Sequence, residues 1–253
     1  MQLLDGRVAI VAGAGNGMGR ATAVLFAESG ADVALCARTP GTLEATVEQI
    51  ERTTGKQPLT RVTDLREPTQ AQELVDEVID RWGKLDVVMV NAGTSGYFDL
   101  DLPSTPREVE DDMIDLNLRT SLNTARASLP ALAEHHGSLI LVAASPKTLL
   151  WPNTLYAATK SAVLGLTRGL ALEWWPHVRV NAISPGSIRR VRLDGPVAPI
   201  EGPLDRGGDP DDVMHFGGEP ADIAHTALFL AGPGSSWVTG VEIPVDGGAH
   251  LRW

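Results

Sequence analysis

Arg7-Val8-Ala9-Ile10-Val11-Ala12-Gly13-Ala14-Gly15-Asn16-Gly17-Met18-Gly19-Arg20 is the stretch that decides the fold. The apolar run ending at Ala12 is too short for a helix and is stopped by glycine, which predicts a buried strand. From Gly19 to Ser29, Ala21, Val24, Leu25 and Ala27 are the apolar residues of a predicted helix that Gly30 stops. The glycines between them read Gly13-x-x-x-Gly17-x-Gly19, which is not a literal G-x-G-x-x-G. The physical logic is nevertheless that of a dinucleotide loop. Glycine permits positive φ in a tight strand-to-helix turn and lets backbone approach a pyrophosphate. The helix start adds free N–H groups and a partial positive charge. Glycines also make plain turns, but between a first strand and a first helix the nucleotide reading is the favoured one. Gly13, Gly15, Asn16, Gly17, Met18 and Gly19 are therefore candidate cofactor-binding residues.

Outward from this unit the same alternation continues. Strands are predicted at Asp32–Ala37, Leu59–Thr63, Leu85–Val90, Ser138–Ala143, Val178–Ile183 and Val241–Val245. Helices are predicted at Thr42–Thr53, Glu67–Arg81, Leu155–Trp174 and Pro220–Ala231, with a long helical region from Pro106 to His135 interrupted near Pro130. Continuous apolar strands alternating with helices mean an α/β fold, a parallel sheet covered on both faces. One domain over residues 1–253 is expected, with the Gly- and Pro-rich segment 190–220 as a flexible substrate lid.

Composition narrows the function classes. The chain has 253 residues, 43% hydrophobic, and a net charge of −11, so nucleic acid and anionic membrane are poor partners. Cys36 is the single cysteine, which rules out an intramolecular disulfide, and the six histidines show no ligand spacing, so no metal is expected. No charged leader and no apolar run near the ~20 residues of a membrane span are visible, which makes a soluble cytoplasmic protein the expectation.

At the end of the second strand stand Ala37, Arg38 and Thr39. An acidic residue there would hold a ribose 2′-hydroxyl and repel a 2′-phosphate, whereas Arg38 offers a cationic fork suited to phosphate. NADP(H) is thus favoured and NAD(H) is the runner-up. Tyr156-Ala157-Ala158-Thr159-Lys160 puts a phenol and an ammonium four apart on one helical face. A neighbouring ammonium lowers a tyrosine pKa from its ordinary ~10, fitting it for proton transfer to a carbonyl oxygen.

In order along the chain come the glycine loop, Asp64, Asn91-Ala92-Gly93, Asn117, Tyr156/Lys160, Pro185-Gly186, Trp237-Val238-Thr239-Gly240 and Pro244-Val245-Asp246-Gly247-Gly248. This series resembles the short-chain dehydrogenase/reductase family over essentially the full length. The resemblance implies a Rossmann-type, doubly wound parallel sheet of seven strands in three α/β/α layers. It implies Tyr156 as general acid/base, Lys160 as the group that tunes it and holds the nicotinamide ribose, and Asn117 as a helix-kinking residue that binds a linking water. Asp64 and Leu65 would meet adenine; Asn91, Ala92, Gly93, Pro185 and Gly186 would line the cofactor cleft; Ile188 would meet the carboxamide. The substrate would be a carbonyl or secondary alcohol. The assembly would be a homotetramer built on the Asn117 and Tyr156 helices, with a dimer as the alternative.

The chain departs from the family pattern twice. The family serine usually stands 13 residues before the tyrosine, where this chain has Ala143, followed by Ala144; Ser145 is 11 residues before it. Either the connection is shorter and Ser145 donates to the substrate oxygen, or the site lacks that hydroxyl; Ser145 is the candidate carried forward. The threonine expected four residues after Gly186 is Arg190, which with Arg189 and Arg192 either holds phosphate or an acidic substrate, or belongs to a solvated loop. Trp151 and Asn153 are candidate substrate-lining residues just before Tyr156. Two rival readings use the same fold: a non-catalytic NADP(H)-binding regulatory protein, and a dehydratase or epimerase that retains its nicotinamide.

Overall fold

The strand before the glycine loop, β1 (Val8–Ala12), is buried along its whole length. Val8, Ile10 and Ala12 point into one hydrophobic core while Ala9 and Val11 point into a second on the opposite face. Both faces of the strand are covered, which is why its sequence shows an unbroken apolar run rather than alternation. The computed structural model describes residues 2–94, 101–150, 152–188 and 217–251.

The remaining strands are β2 (Asp32–Ala37), β3 (Leu59–Val62), β4 (Val87–Val90), β5 (Ser138–Val142), β6 (Arg179–Pro185) and β7 (Glu242–Val245). They form one seven-stranded sheet in the order β3-β2-β1-β4-β5-β6-β7. Every pairing is parallel. The helices are α1 (Gly17–Glu28), α2 (Glu44–Thr54), α3 (Pro68–Trp82), α4 (Arg107–Ile114), α5 (Thr120–Glu134), α6 (Pro146–Leu149), α7 (Thr154–Trp174) and α8 (Pro220–Ala231).

Each long helix buries one stripe. On one face α3 contributes Leu74 and Val78, α5 contributes Leu129 and Leu132, and α7 contributes Val163. On the other, α1 contributes Phe26, α2 Ile50, and α8 Ile223 and Leu230. Each such large side chain stabilises the fold by about 1.5–3 kcal/mol relative to leaving it exposed. The strand order reverses between β1 and β4, and in an open parallel sheet the crevice at the carboxyl ends of such strands is where a ligand is held.

Two details differ from the sequence reading. Helix α1 starts at Gly17 rather than Gly19. The long helix is not interrupted at Pro130, which lies inside α5. Pro130 and Arg126, one turn earlier, are both exposed residues, so the missing N–H falls on the solvent side of the helix. The irregularity lies earlier, in a π-helical segment at Asp115–Arg119 between α4 and α5. The lid expected at 190–220 lies outside the described residues up to 216. The segments that flank residues 189–216 are joined, since Ile188 bridges Gly218 and the Gly218 N–H donates to the Ser187 carbonyl at 2.8 Å.

Candidate active site

The turn after β1 is held from behind. Gly13 and Ala14 N–H groups donate to the Cys36 carbonyl at 2.9 and 3.2 Å, and the buried Thr46 hydroxyl donates to the Ala14 carbonyl at 2.9 Å. Gly13 adopts a φ of +78°, and a Cβ there would stand 2.9 Å from the Ala92 nitrogen, so the loops after β1 and β4 touch backbone to backbone. A Cβ on Gly19 would collide with the Gly13 carbonyl oxygen. At Gly17, by contrast, nothing lies within 4 Å of the Cβ position, so the start of α1 opens outward. Its N-cap residue, Asn16, makes no side-chain capping bond, and the first turn carries no acidic residue. An uncapped helix start is a ready site for an anion.

Gly13, Gly15, Asn16, Arg38, Thr39, Leu65, Asn91, Ala92 and Gly93 line one open cleft of about 780 Å³, together with Thr63 and Thr120. Nine of the sequence candidates thus share one wall system. Arg38 and Thr39 are exposed, and no ion pair holds the Arg38 guanidinium among the described residues. The Asn91 amide nitrogen lies 3.4 Å from the Gly13 carbonyl, while its Oδ1 is buried without a partner among the described residues. A dinucleotide fits these groups: an uncapped helix start and a cation without an ion pair among the described residues face one cleft, and an orphaned amide oxygen lies buried directly behind its lining. Asp64 stands apart. Its carboxylate accepts from Arg66 Nε and from Nη2 at 2.6 Å, and that guanidinium holds the carboxyl below its ordinary range despite burial acting the other way.

Tyr156 and Lys160 ride on the start of α7. Asn153 caps the helix and accepts the Tyr156 N–H at 3.1 Å, so this candidate substrate residue sets the tyrosine backbone. No described residue hydrogen-bonds the Tyr156 hydroxyl. Burial pushes its pKa up to about 12, opposite to the direction expected from a neighbouring ammonium. Lys160 is 5% exposed, donates from Nζ to the Val142 carbonyl at 2.9 Å, and is lowered by burial to about 8. A Cβ on Gly93 would stand 2.8 Å from Asn117 Oδ1 and 3.2 Å from Lys160 Nζ, which locates all three at one corner of the cleft. The Asn117 amide closes a two-way pair with Thr94, accepting its N–H and donating to its carbonyl, each at 3.0 Å. Asn117 sits within the π segment, a local distortion of the helix at the residue for which the family resemblance implied a kink.

Ser145 points elsewhere. Its hydroxyl donates to Asp246 and its oxygen accepts the Lys147 N–H as the cap of α6, and the residue is wholly buried. Asp246 also accepts from the Gly248 N–H and lies 2.9 Å from His250 Nδ1; burial acts to raise its pKa, but these bonds outweigh it and hold the carboxyl low. A Cβ on Gly186 would meet the Asp246 Cβ at 2.5 Å, and the Pro185 carbonyl accepts the Ser145 N–H at 2.9 Å. The ends of β5, β6 and β7 are therefore tied together by this cluster. Ile188 packs against the second core. Trp151 and Arg190 lie outside the described residues.

Residues 13–250 match the family described as enoyl-(acyl carrier protein) reductase. The chain belongs to the short-chain dehydrogenase/reductase family. An uncharacterized oxidoreductase of Mycobacterium tuberculosis is 36% identical, covering 97% of this chain and 92% of the relative. An uncharacterized NAD-dependent oxidoreductase of the same species is 34% identical, covering 97% and 96%. Carveol dehydrogenase from Mycobacterium avium in complex with NAD superposes with a TM-score of 0.85 at 31% identity, over 99% of each chain. Short-chain dehydrogenases/reductases are oxidoreductases that use nicotinamide cofactors, and relatives of this chain carry dehydrogenase and reductase names. Among the described residues no helix is long and apolar enough to cross a membrane.

Sequence reasoning missed three contributors. Thr46 behind the glycine loop and Asp246 beneath Ser145 act over 32 and 101 residues of chain, distances at which no local pattern speaks. Asn123, a buried asparagine on α5, was hidden in a long helical region of which only Asn117 and Pro130 had been singled out.

Proposed function

We propose that this short-chain dehydrogenase/reductase is an NADP(H)-dependent oxidoreductase that interconverts a carbonyl and a secondary alcohol, with Tyr156 as the acid/base. The observation that carries the reading is Lys160. A buried ammonium costs free energy, and a site that keeps one a helical turn from a phenol with no partner among the described residues, at the corner of an open cleft, has the marks of a catalytic centre. The nicotinamide, when bound, would supply or take the hydride. In the reducing direction Tyr156 carries the proton. With its pKa near 12 the phenol is protonated at neutral pH and so carries the proton to be given to the oxygen that becomes the alcohol, although burial makes it a weaker acid than free tyrosine. Lys160 then stands ready to neutralise the phenolate and return a proton, an ammonium oriented by the Val142 carbonyl. Asn117 fixes the loop after β4 at Thr94 and so holds Gly93 against Lys160. Gly13, Asn16 and the α1 start would take the diphosphate, and Leu65 and Thr63 would face the adenine.

Arg38 supports the 2′-phosphate form: it is a cation without an ion pair among the described residues, after Ala37 rather than an acid. A second reading, NAD(H), is favoured by the NAD-dependent relative and by the NAD complex of carveol dehydrogenase. Fluorescence titration decides. NADPH is expected to bind at least about tenfold more tightly than NADH, and Arg38→Asp to reverse the order. Tighter NADH binding by the wild type selects the second reading, and an unchanged ratio in the variant removes Arg38 from the phosphate.

A further inference from the structure

The turn at Thr63–Arg66 leaves the carboxyl end of β3 and forms one wall of the cleft through Thr63 and Leu65. Its backbone is gripped from three sides. Gln70 on α3 accepts the Asp64 N–H at 2.8 Å. Arg66 donates to Asp112 on α4 at 2.9 Å while its other edge clasps Asp64. From α5, Asn123 donates both hydrogens of its amide nitrogen to carbonyls of the turn, Leu65 at 3.1 Å and Arg66 at 2.8 Å.

Asn123 is 4% exposed, on a helix face where leucine or alanine would pack without loss of hydration. Its partners explain its presence. Two carbonyls at the end of a strand have left the sheet ladder, and a buried side-chain amide satisfies both. The placement does more than fill valences. Thr120, three residues earlier and so on the same helix face, lines the cleft itself. One face of α5 thus contributes directly to the cleft and, one turn on, holds the Thr63–Leu65 wall in place.

We infer that Asn123 is a positioning residue for the adenosine end of the cleft: it preorganises the Asp64–Arg66 turn so that Leu65 meets the adenine without ordering a loose segment first. Binding to an already ordered wall avoids the conformational entropy that a mobile turn would lose. The inference rests on the nicotinamide-dinucleotide reading above. The gain is local to one half of the ligand, because the Lys160 and Asn117 corner is held by separate bonds to Val142 and Thr94.

Calorimetric titration of the full-length protein with three probes tests this: NADPH, adenosine 5′-diphosphate, and reduced nicotinamide mononucleotide. In Asn123→Ala, affinity for NADPH and for adenosine diphosphate should each fall about tenfold, while the mononucleotide binds as in the wild type. Asp112→Asn weakens the grip on the same turn from a half-buried position nearer the surface and tests the inference should Asn123→Ala fold poorly; it should weaken adenosine diphosphate about threefold and spare the mononucleotide. Equal weakening of both half-ligands means that Asn123 supports the fold generally and overturns the inference. Unchanged adenosine diphosphate binding in both variants overturns it as well. A wild type that binds neither NADPH nor NADH removes the cofactor reading itself, and the inference falls with it.

Discussion

The two ends of the sheet treat their polar groups in opposite ways. At the amino end, polar groups find protein partners. Asp86 is 4% exposed and accepts from Arg7 at 2.9 Å and the Val8 N–H at 2.8 Å, with Lys84 at 3.3 Å. Arg179 donates to the Leu230 carbonyl and the Ser235 hydroxyl, and Ser138 donates to that same carbonyl. Lys56 pairs with Asp32. At the carboxyl end of β1, β2 and β4, hydrogen-bonding capacity is left over among the described residues: the Arg38 guanidinium and the open start of α1 at the cleft, the orphaned Asn91 Oδ1 buried behind it, and the Tyr156 hydroxyl on α7. Saturation at one end serves stability, and unspent capacity at the other is what a ligand can use. The carboxyl end is itself divided, for under β5, β6 and β7 the Ser145–Asp246–His250 cluster is saturated like the amino end.

The comparison breaks first if turnover does not live in the unspent half. Tyr156→Phe should cut turnover by about 10³-fold while leaving NADPH affinity intact; rates within tenfold of wild type would take the phenol out of the chemistry. The next largest effect belongs to the amino end. Asp86→Ala leaves the Val8 N–H without its carboxylate and should cost roughly 3 kcal/mol in denaturant unfolding with no change in cofactor affinity. Altered NADPH binding in that variant would show that the two ends are not independent.

Lys160 sharpens the contrast through pH. Its folded value near 8 lies below its ordinary 10.5, so between these values the unfolded chain binds more protons than the folded one. Stability should therefore carry the full penalty below pH 8 and recover as pH climbs towards 10.5, by this group's share. Lys160→Met should remove that slope relative to wild type and raise stability at pH 7 by on the order of 2 kcal/mol while abolishing turnover. A variant less stable than wild type at pH 7 would mean that the ammonium holds the fold together. The smallest effect is expected at Ser145. Ser145→Ala should change turnover by less than about fivefold and cost about 1 kcal/mol of stability, since its hydroxyl is committed to Asp246. A hundredfold loss in turnover would return that hydroxyl to the substrate.

What could be read from the sequence was what repeats locally. The strands announced themselves as apolar runs because both faces of the sheet are covered, and Gly13 and Gly19 because backbone must pass where a Cβ would stand. Tyr156 and Lys160 were visible through their spacing. Their electrostatics were not, because burial depends on which elements close over a residue: spacing led to a lowered tyrosine, whereas the fold raises it. Ser145 was placed correctly near a strand tip, but its direction is set by Asp246, 101 residues away. Pro130 was read as a break by its missing N–H, a reason that loses force on a solvent-facing turn.

The π segment at Asp115–Arg119 bears on how this chain could change over time. A π turn is an α-helix that has accepted one surplus residue. The surplus is taken up within the turn itself, so deleting one residue of this segment other than Asn117 would restore α winding and leave α5 in phase, with Thr120 still at the cleft and Asn123 still on the Asp64–Arg66 turn. The same one-codon deletion between Thr120 and Asn123, where the winding is regular, has no surplus to absorb it and would turn the rest of the helix by about 100°, parting Asn123 from its two carbonyls. A change of length is thus absorbed in one span of this helix and felt across the cleft in the next.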